Sequence, residues 1–465
     1  TNTYTGATYV NAGSLAISTD DNLGAAPTST QAAQLVVNNA TLYFYPVFTT
    51  ATSTNRGLTL VGSSTLNTAT GSSVTWAGPV TGTALSKVGD GTLVLTGDNS
   101  HTGGTTISAG RLVAGGAANA LGTGSVTVSG TRLSFDTTAP VTYSNAISLT
   151  GTGVLDNVGS QMVTFTGGVN TNLTTTVVVD GGSTGLTIAN VMTPTGAGAS
   201  YYIKGDVTFT GHNMNSLVIR AAGEATAKFT ASNGVTAFTP WFIGSDTAAY
   251  AMNIDIASGV TVSEDSSQGA ASLYYKNITG AGTLFMGGAN STTGYVLGDS
   301  TIANLKGSGS KTISIGNGGS AGRLLSGNVQ ATGGLLLNST TDYTFTGVHS
   351  VGTLTKQQAN TIKLTGANTS TGAITVSAGI LQVGDAGTTG AITGNASVAS
   401  GAGLVFSRSD AASYVGNISG AGTVTKLGAN VLTLTGTQTY TGVTATGNAG
   451  GGVVFTNNTL PVTPG

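Results

Sequence analysis

The sequence predicts an all-β chain wound as a parallel β-helix (a β-solenoid), and three observations lead there. Charged residues fill only 7% of the 465 positions, against about 25% in an average soluble domain. Gly supplies 73 positions and the only glutamates are Glu224 and Glu264, so the Ala/Leu/Glu/Lys-rich surfaces that helices need are missing. Short alternating runs of Val, Leu and Ile recur between small turn-forming residues, which is the pattern of strands. Abundant Gly also fits disorder, but disordered chains combine low hydropathy with high net charge. Here 39% of residues are apolar and the net charge is −2.

A repeat gives the architecture. One copy runs Lys87-Val88-Gly89-Asp90-Gly91-Thr92-Leu93-Val94-Leu95-Thr96-Gly97-Asp98-Asn99, then His101-Thr102-Gly103 and Thr105-Thr106-Ile107-Ser108-Ala109-Gly110-Arg111-Leu112. A second starts at Lys356, with Ile362-Lys363-Leu364-Thr365-Gly366-Ala367-Asn368 and Ala373-Ile374-Thr375-Val376. A third starts at Lys426, with Leu432-Thr433-Leu434-Thr435-Gly436 and Thr439-Tyr440-Thr441-Gly442. Thr1-Asn2-Thr3-Tyr4-Thr5-Gly6 repeats the latter half, and Asn277-Ile278-Thr279-Gly280 echoes Asn417-Ile418-Ser419-Gly420. Lys356 and Lys426 stand 70 residues apart and the two Asn-Ile pairs 140, both near multiples of about 23, a plausible solenoid coil.

Within the unit, alternation sends Leu93 and Leu95 to one face and Thr92, Val94 and Thr96 to the other. Gly-Asp-Asn or Gly-Ala-Asn then turns the corner, where Gly and Asn tolerate positive φ. Such strands are too short to stand alone. Stacked as roughly twenty coils, they bury a continuous column of Leu, Val and Ile. We expect one continuous solenoid over residues 1–465, with residues 115–345 carrying the repeat weakly, as divergent coils or an inserted module.

This unit resembles the autotransporter-associated β-strand repeat, also called the passenger-associated transport repeat, of bacterial surface proteins. The resemblance rests on the copies at 87–113, 351–384 and 420–442, the half copy at 1–17 and weakly the echo at 277–290, about a quarter to a third of the chain. It implies a right-handed parallel β-helix, an elongated rod displayed outside the outer membrane of a bacterium. Nothing in this sequence looks like the C-terminal membrane β-barrel of that pattern, and Thr459 to Gly465 is expected to be a tail. Nor does Thr1-Asn2-Thr3-Tyr4 form a charged start before an apolar run, so a mature product or excised segment is expected.

The function expected is therefore an extracellular or cell-surface structural protein. Its sharper form is end-to-end self-assembly into a fibre or layer, because the chain starts in mid-repeat. Thr1, Asn2, Thr3 and Tyr4 would then meet Val453, Val454 and Phe455 of another copy through main-chain pairing. The alternative is an adhesin whose aromatics contact glycans or host surfaces. A carbohydrate-active enzyme is the third reading.

Candidate chemistry is sparse. Without cysteine there is no disulfide and no thiolate metal site. No apolar run approaches the length of a membrane span, so we expect no membrane insertion by this segment, and without clustered Lys and Arg no nucleic-acid partner. Glycoside chemistry needs paired carboxylates, yet only Asp20-Asp21 and Glu264-Asp265 adjoin, both among turn formers that read as solvated. His101, His212 and His349 share no metal-ligand spacing, and His101 takes the place of Tyr4 and Tyr440 in sister copies. We expect no enzyme, no cofactor and no metal. Lys87, Lys356 and Lys426 recur at one repeat position, where a charge at a strand margin would deter edge pairing. Aromatics cluster in Tyr43-Phe44-Tyr45-Pro46-Val47-Phe48 and Phe238-Thr239-Pro240-Trp241-Phe242. Alternation puts Phe44 and Phe48 inside and Tyr43 and Tyr45 outside. The clusters read as core stacking or an end cap, or as a contact surface carried by Tyr43, Tyr45 and Trp241.

Overall fold

A computed structural model describes residues 1–48, 50–116, 118–171, 177–189, 199–210, 217–231, 236–238, 240, 242–243, 251–264, 272–287, 292–307, 309–447 and 451–457. The described residues form parallel strands of successive coils, and the chain is a β-solenoid. It divides into two compact units, Thr1–Thr236 and Ala237–Gly465. About 17 turns lie in the described residues, against the roughly twenty expected. Part of the chain lies outside them, and an early coil is long. Ser14 pairs with Thr41, a coil of 27 residues, whereas Thr92 pairs with Arg111 after only 19.

In the first unit the coils stack three ladders. One joins Thr8–Val10, Gln31–Asn38, Arg56–Val61 and Val80–Gly82. A second runs from Ser14–Ile17 through Thr41–Phe44 and Thr105–Ile107 to Val169–Thr171. The third passes through Ser73–Trp76, Thr92–Leu95, Arg111–Gly115, Arg132–Asp136 and Val154–Asn157. Its register aligns Val74, Leu93, Leu112, Leu133 and Leu155 in one column, all fully buried. Trp76, Leu95, Ala114 and Phe135 make a second buried column two residues along. Alternation thus places the core as expected: Leu93 and Leu95 point in while Thr92 and Val94 are partly exposed. The long strand Ala199–Thr210 serves two faces, bending at Gly205, where φ is +62° and the register slips.

The second unit repeats this scheme. Tyr343–Phe345, Thr361–Leu364, Ile380–Gly387, Gly403–Arg408, Thr423–Leu427 and Thr444–Thr446 form one ladder. Its core column is Ile362, Leu381, Leu404 and Val424. A second ladder stacks Leu354, Ile374, Ala396 and Ile418.

The corners are built differently from the expectation of positive φ. Among the described residues only Asn39, Gln358 and Ala386 are non-glycine residues with positive φ, so Asn99 and Asn368 are not left-handed. Both are buried, and their amides bridge coils. Asn99 Oδ1 accepts from Val80 N at 2.7 Å while its Nδ2 donates to Ala120 O at 2.7 Å. Asn368 takes the N–H of His349 at 2.8 Å and donates to Ala391 O at 3.0 Å. The corner glycines are required by crowding. A Cβ on Gly366 would collide with Gly347 O, and one on Gly347 with Gly327 O. Consecutive coils therefore touch backbone to backbone at this corner.

Truncating Leu364 to Ala removes a fully buried side chain and should cost about 2–5 kcal/mol. Because repeats contact only their neighbours, amide exchange should quicken in Tyr343–Phe345 and Ile380–Gly387, with Thr92–Leu95 still protected. Uniform loss of protection across both units would contradict this.

Candidate functional surfaces

Three of the residues singled out for chemistry prove structural. Lys87, Lys356 and Lys426 are buried, at 0%, 0% and 3% exposure, which corrects the expectation of charges at an exposed strand margin. Their strands place them on the inward side, and each ammonium turns back into its own corner. Lys87 Nζ donates to Val88 O, Gly89 O and Ala109 O at 3.1, 2.6 and 3.0 Å. Lys356 Nζ donates to Gln357 O, Gln358 O and Ala378 O at 2.6, 2.8 and 3.2 Å, and to Asn360 Oδ1 at 2.9 Å. Lys426 Nζ reaches Gly428 O at 2.6 Å. The lysine thus satisfies carbonyls of its own corner and, for Lys87 and Lys356, of the coil that follows, groups that would be costly to leave unpaired. Burial pushes Lys87 and Lys356 down to about 8, against the pull of Asp90 and Asp342.

The histidines are equally structural. His101 Nε2 lies 2.8 Å from Thr105 Oγ1; the equivalent tyrosines make the same contact, Tyr4 with Thr8 at 2.7 Å and Tyr440 with Thr444 at 2.5 Å. His349 Nδ1 lies 2.8 Å from Ser370 Oγ, one coil on. Burial lowers both histidines, His349 to about 4, by disfavouring the charged imidazolium. His212 lies outside the described residues.

Asp156, Asp180 and Glu224 line one recess, with Asp156 and Asp180 in register one coil apart and Lys204 beside them. Among the described residues no group of three or more His, Cys, Asp or Glu could hold a metal ion. Instead most of the paired carboxylates face a cation one coil away. Arg132 reaches Asp156 at 2.7 Å, Lys204 reaches Asp180 at 3.1 Å, Lys228 reaches Asp206 at 2.5 Å and Lys363 reaches Asp385 at 2.8 Å. Asp20 is not a free turn residue, since it pairs at 2.8 Å with the fully buried Arg56, whose other nitrogens donate to Leu23 O and Gly24 O. Glu264, expected in solvent, is 3% exposed and accepts from the hydroxyl of fully buried Tyr275 at 2.5 Å. Burial, reinforced by Glu264, holds that phenol well above its ordinary range. Asp265 lies outside the described residues. Sequence reasoning missed Arg56 and misread Glu264 as solvated because their partners stand 36 and 11 residues away, beyond any local pattern.

The aromatic cluster divides by side. Phe44 and Phe48 are buried edge to face at 5.4 Å, with Phe44 also against Trp76 at 6.5 Å. Tyr43 is partly exposed and Tyr45 is 48% exposed, their rings edge to face at 5.3 Å. Val47, beside them in sequence, is 71% exposed. The result is an apolar outer patch standing on a packed aromatic base. Trp241 lies outside the described residues. Of the terminal residues, Asn2 N donates to Asp21 O and Tyr4 O accepts from Ala25 N, both at 2.9 Å. The strand Val453–Phe455 pairs in parallel with Leu432–Leu434.

Parallel coils with charges consumed by cross-coil pairing define a β-solenoid repeat protein. The chain carries passenger-associated transport repeats: the profile of that family matches residues 1–17, 85–114, 354–383 and 424–447. It is also similar to the adhesin BmaC autotransporter of Brucella suis biovar 1, with 30% identity over 497 aligned positions that take in 83% of this chain. The chain spans 14% of that relative's length. No solved structure matches it at significance.

Changing Lys356 to Met leaves four acceptors without their donor and should destabilise the surrounding coils by about 2–4 kcal/mol. Faster amide exchange around Ala378 and Gln358 is the readout. A second outcome follows from His349. Its folded value lies near 4, below the unfolded 6.5, so the unfolded chain gains protons first. Stability from this group is complete above about 6.5 and is lost as pH falls toward 4. Urea unfolding between pH 7 and 4 should show that loss, and His349→Gln should lessen it, with His101 supplying the remainder in the same direction.

Proposed function

We propose that the chain is a surface-displayed passenger of an exported bacterial protein, which makes adhesive contacts through side chains mounted on its coils and performs no catalysis. The observation that carries this reading is the outer patch of Tyr43, Tyr45 and Val47 held over the buried Phe44, Phe48 and Trp76. Tyrosine offers a large rigid face with a polar tip, which suits both glycan rings and protein surfaces. The passenger repeats and the similarity to an adhesin autotransporter support the placement at the bacterial surface. The non-catalytic part is supported by the in-register Asp156 and Asp180 being held by Arg132 and Lys204, since acid–base chemistry on a glycosidic bond needs two available carboxyl groups. Trp241 belongs to this proposal on sequence grounds alone.

Copies joined end to end stand apart from this reading. Asn2 and Tyr4 already use main-chain groups within their own chain, and adhesion needs only single particles. Filaments in electron micrographs of concentrated protein would restore assembly as the function.

Beads coated with the chain should adhere to cultured epithelial cells, and Tyr43→Ala combined with Tyr45→Ala should reduce attachment several-fold. Both side chains point outward, so circular dichroism should be unaltered. Attachment equal to wild type would remove the patch from the contact.

A further inference from the structure

The second unit holds a recess of about 470 Å³ that the aromatic patch does not explain. It follows one outward line of residues across four coils: Phe285 is in register with Lys306, Lys306 with Gln330, and Gln330 with Ser350. Beside that line Gly307 and Ala331 are in register and supply almost no side chain, which opens the recess. Parallel strands repeat at about 4.8 Å, so the recess offers an aromatic face, an ammonium, an amide and a hydroxyl at even steps.

Lys306 gives this line its charge, and unlike the buried Lys311, whose ammonium also lacks a hydrogen-bond partner among the described residues, it is open to solvent. Lys87, Lys204, Lys228, Lys356 and Lys363 are all engaged by carbonyls or carboxylates. Lys306 has no such partner among the described residues and is partly exposed. Gln330 and Ser350 are exposed as well, and their side chains donate to no group of the described chain. An unpaired cation flanked by unused polar groups is complementary to an anion that also carries hydroxyls.

The surroundings select the occupant. A peptide strand would need a free sheet edge, but Asn304–Gly307 is paired on both sides, with Thr283–Met286 and Asn328–Leu337. Nucleic acid would need several cations along its phosphates, and this line has one. A sugar ring, in contrast, stacks on an aromatic face and spends its hydroxyls on amides and hydroxyls.

We infer that the recess along Phe285, Lys306, Gln330 and Ser350 binds a linear acidic glycan laid across the coils, with a uronic-acid carboxylate on Lys306 and a neutral sugar on Phe285. The inference rests on the adhesive reading and names a ligand class at a second site, separate from Tyr43 and Tyr45.

The test uses the full chain and hyaluronan hexasaccharide, in which uronic acid alternates with a neutral sugar, with cellohexaose as the uncharged comparison. Titration calorimetry should show the hexasaccharide binding and cellohexaose binding far more weakly. Lys306→Gln should weaken hexasaccharide binding about tenfold, the loss of one charge-assisted hydrogen bond, and should remove its salt dependence. Phe285→Ala should weaken it in salt-independent fashion. An unresponsive wild-type chain, equal binding of cellohexaose or of polyglutamate, or unaltered binding by both variants would each overturn the inference. Failure here with bead attachment intact leaves the adhesive reading standing. Binding of the hexasaccharide without any bead attachment would do the opposite.

Discussion

No coil of this chain holds its strands alone; everything else depends on each coil finding the next in register. A strand such as Thr92–Leu95 is four residues long, far below what stands by itself in water. Its backbone groups are satisfied from both sides, by Ser73–Trp76 and by Arg111–Gly115. Its inward leucines are covered by the columns that this register creates. The same pairing carries outward residues into lines, so the order of the core and the order of the surface have one cause.

Keeping the register while coil lengths run from 18 to 27 residues puts the burden on the corners. There the backbones come too close for any Cβ, which is why Gly327, Gly347 and Gly366 follow one another. Close approach also concentrates carbonyls, and the inward lysines supply the donors. A charge inside a protein is ordinarily costly. Here it is accepted because carbonyls of the corner accept directly from the ammonium.

Much of this was legible in the sequence and some of it was not, for reasons that differ by residue. The inward Leu93 and Leu95, the outward Tyr43 and Tyr45 and the buried Phe44 and Phe48 follow from alternation, a property of neighbours along the chain. His101 was readable as structural because Tyr4 and Tyr440 replace it, and all three reach a Thr four residues on. Lys87 was misplaced because charge argues for solvent until the carbonyl nest is seen. Asn99 and Asn368 were assigned to backbone conformation when their role is amide bridging across coils. Arg56 and Glu264 needed partners that only stacking brings near. The line from Phe285 to Ser350 is invisible in sequence for the same reason, since its members come from four different strands.

The parallel pairing has a mechanical side. Inter-coil hydrogen bonds run in the stacking direction, so a pull along that direction within a unit is shared by the ladders on several faces at once. A pull on a single protruding side chain such as Tyr45 enters through one corner and strains one boundary first. Detachment under force would then proceed coil by coil, each opened boundary relieving the load on the next, rather than by sudden rupture of the whole unit.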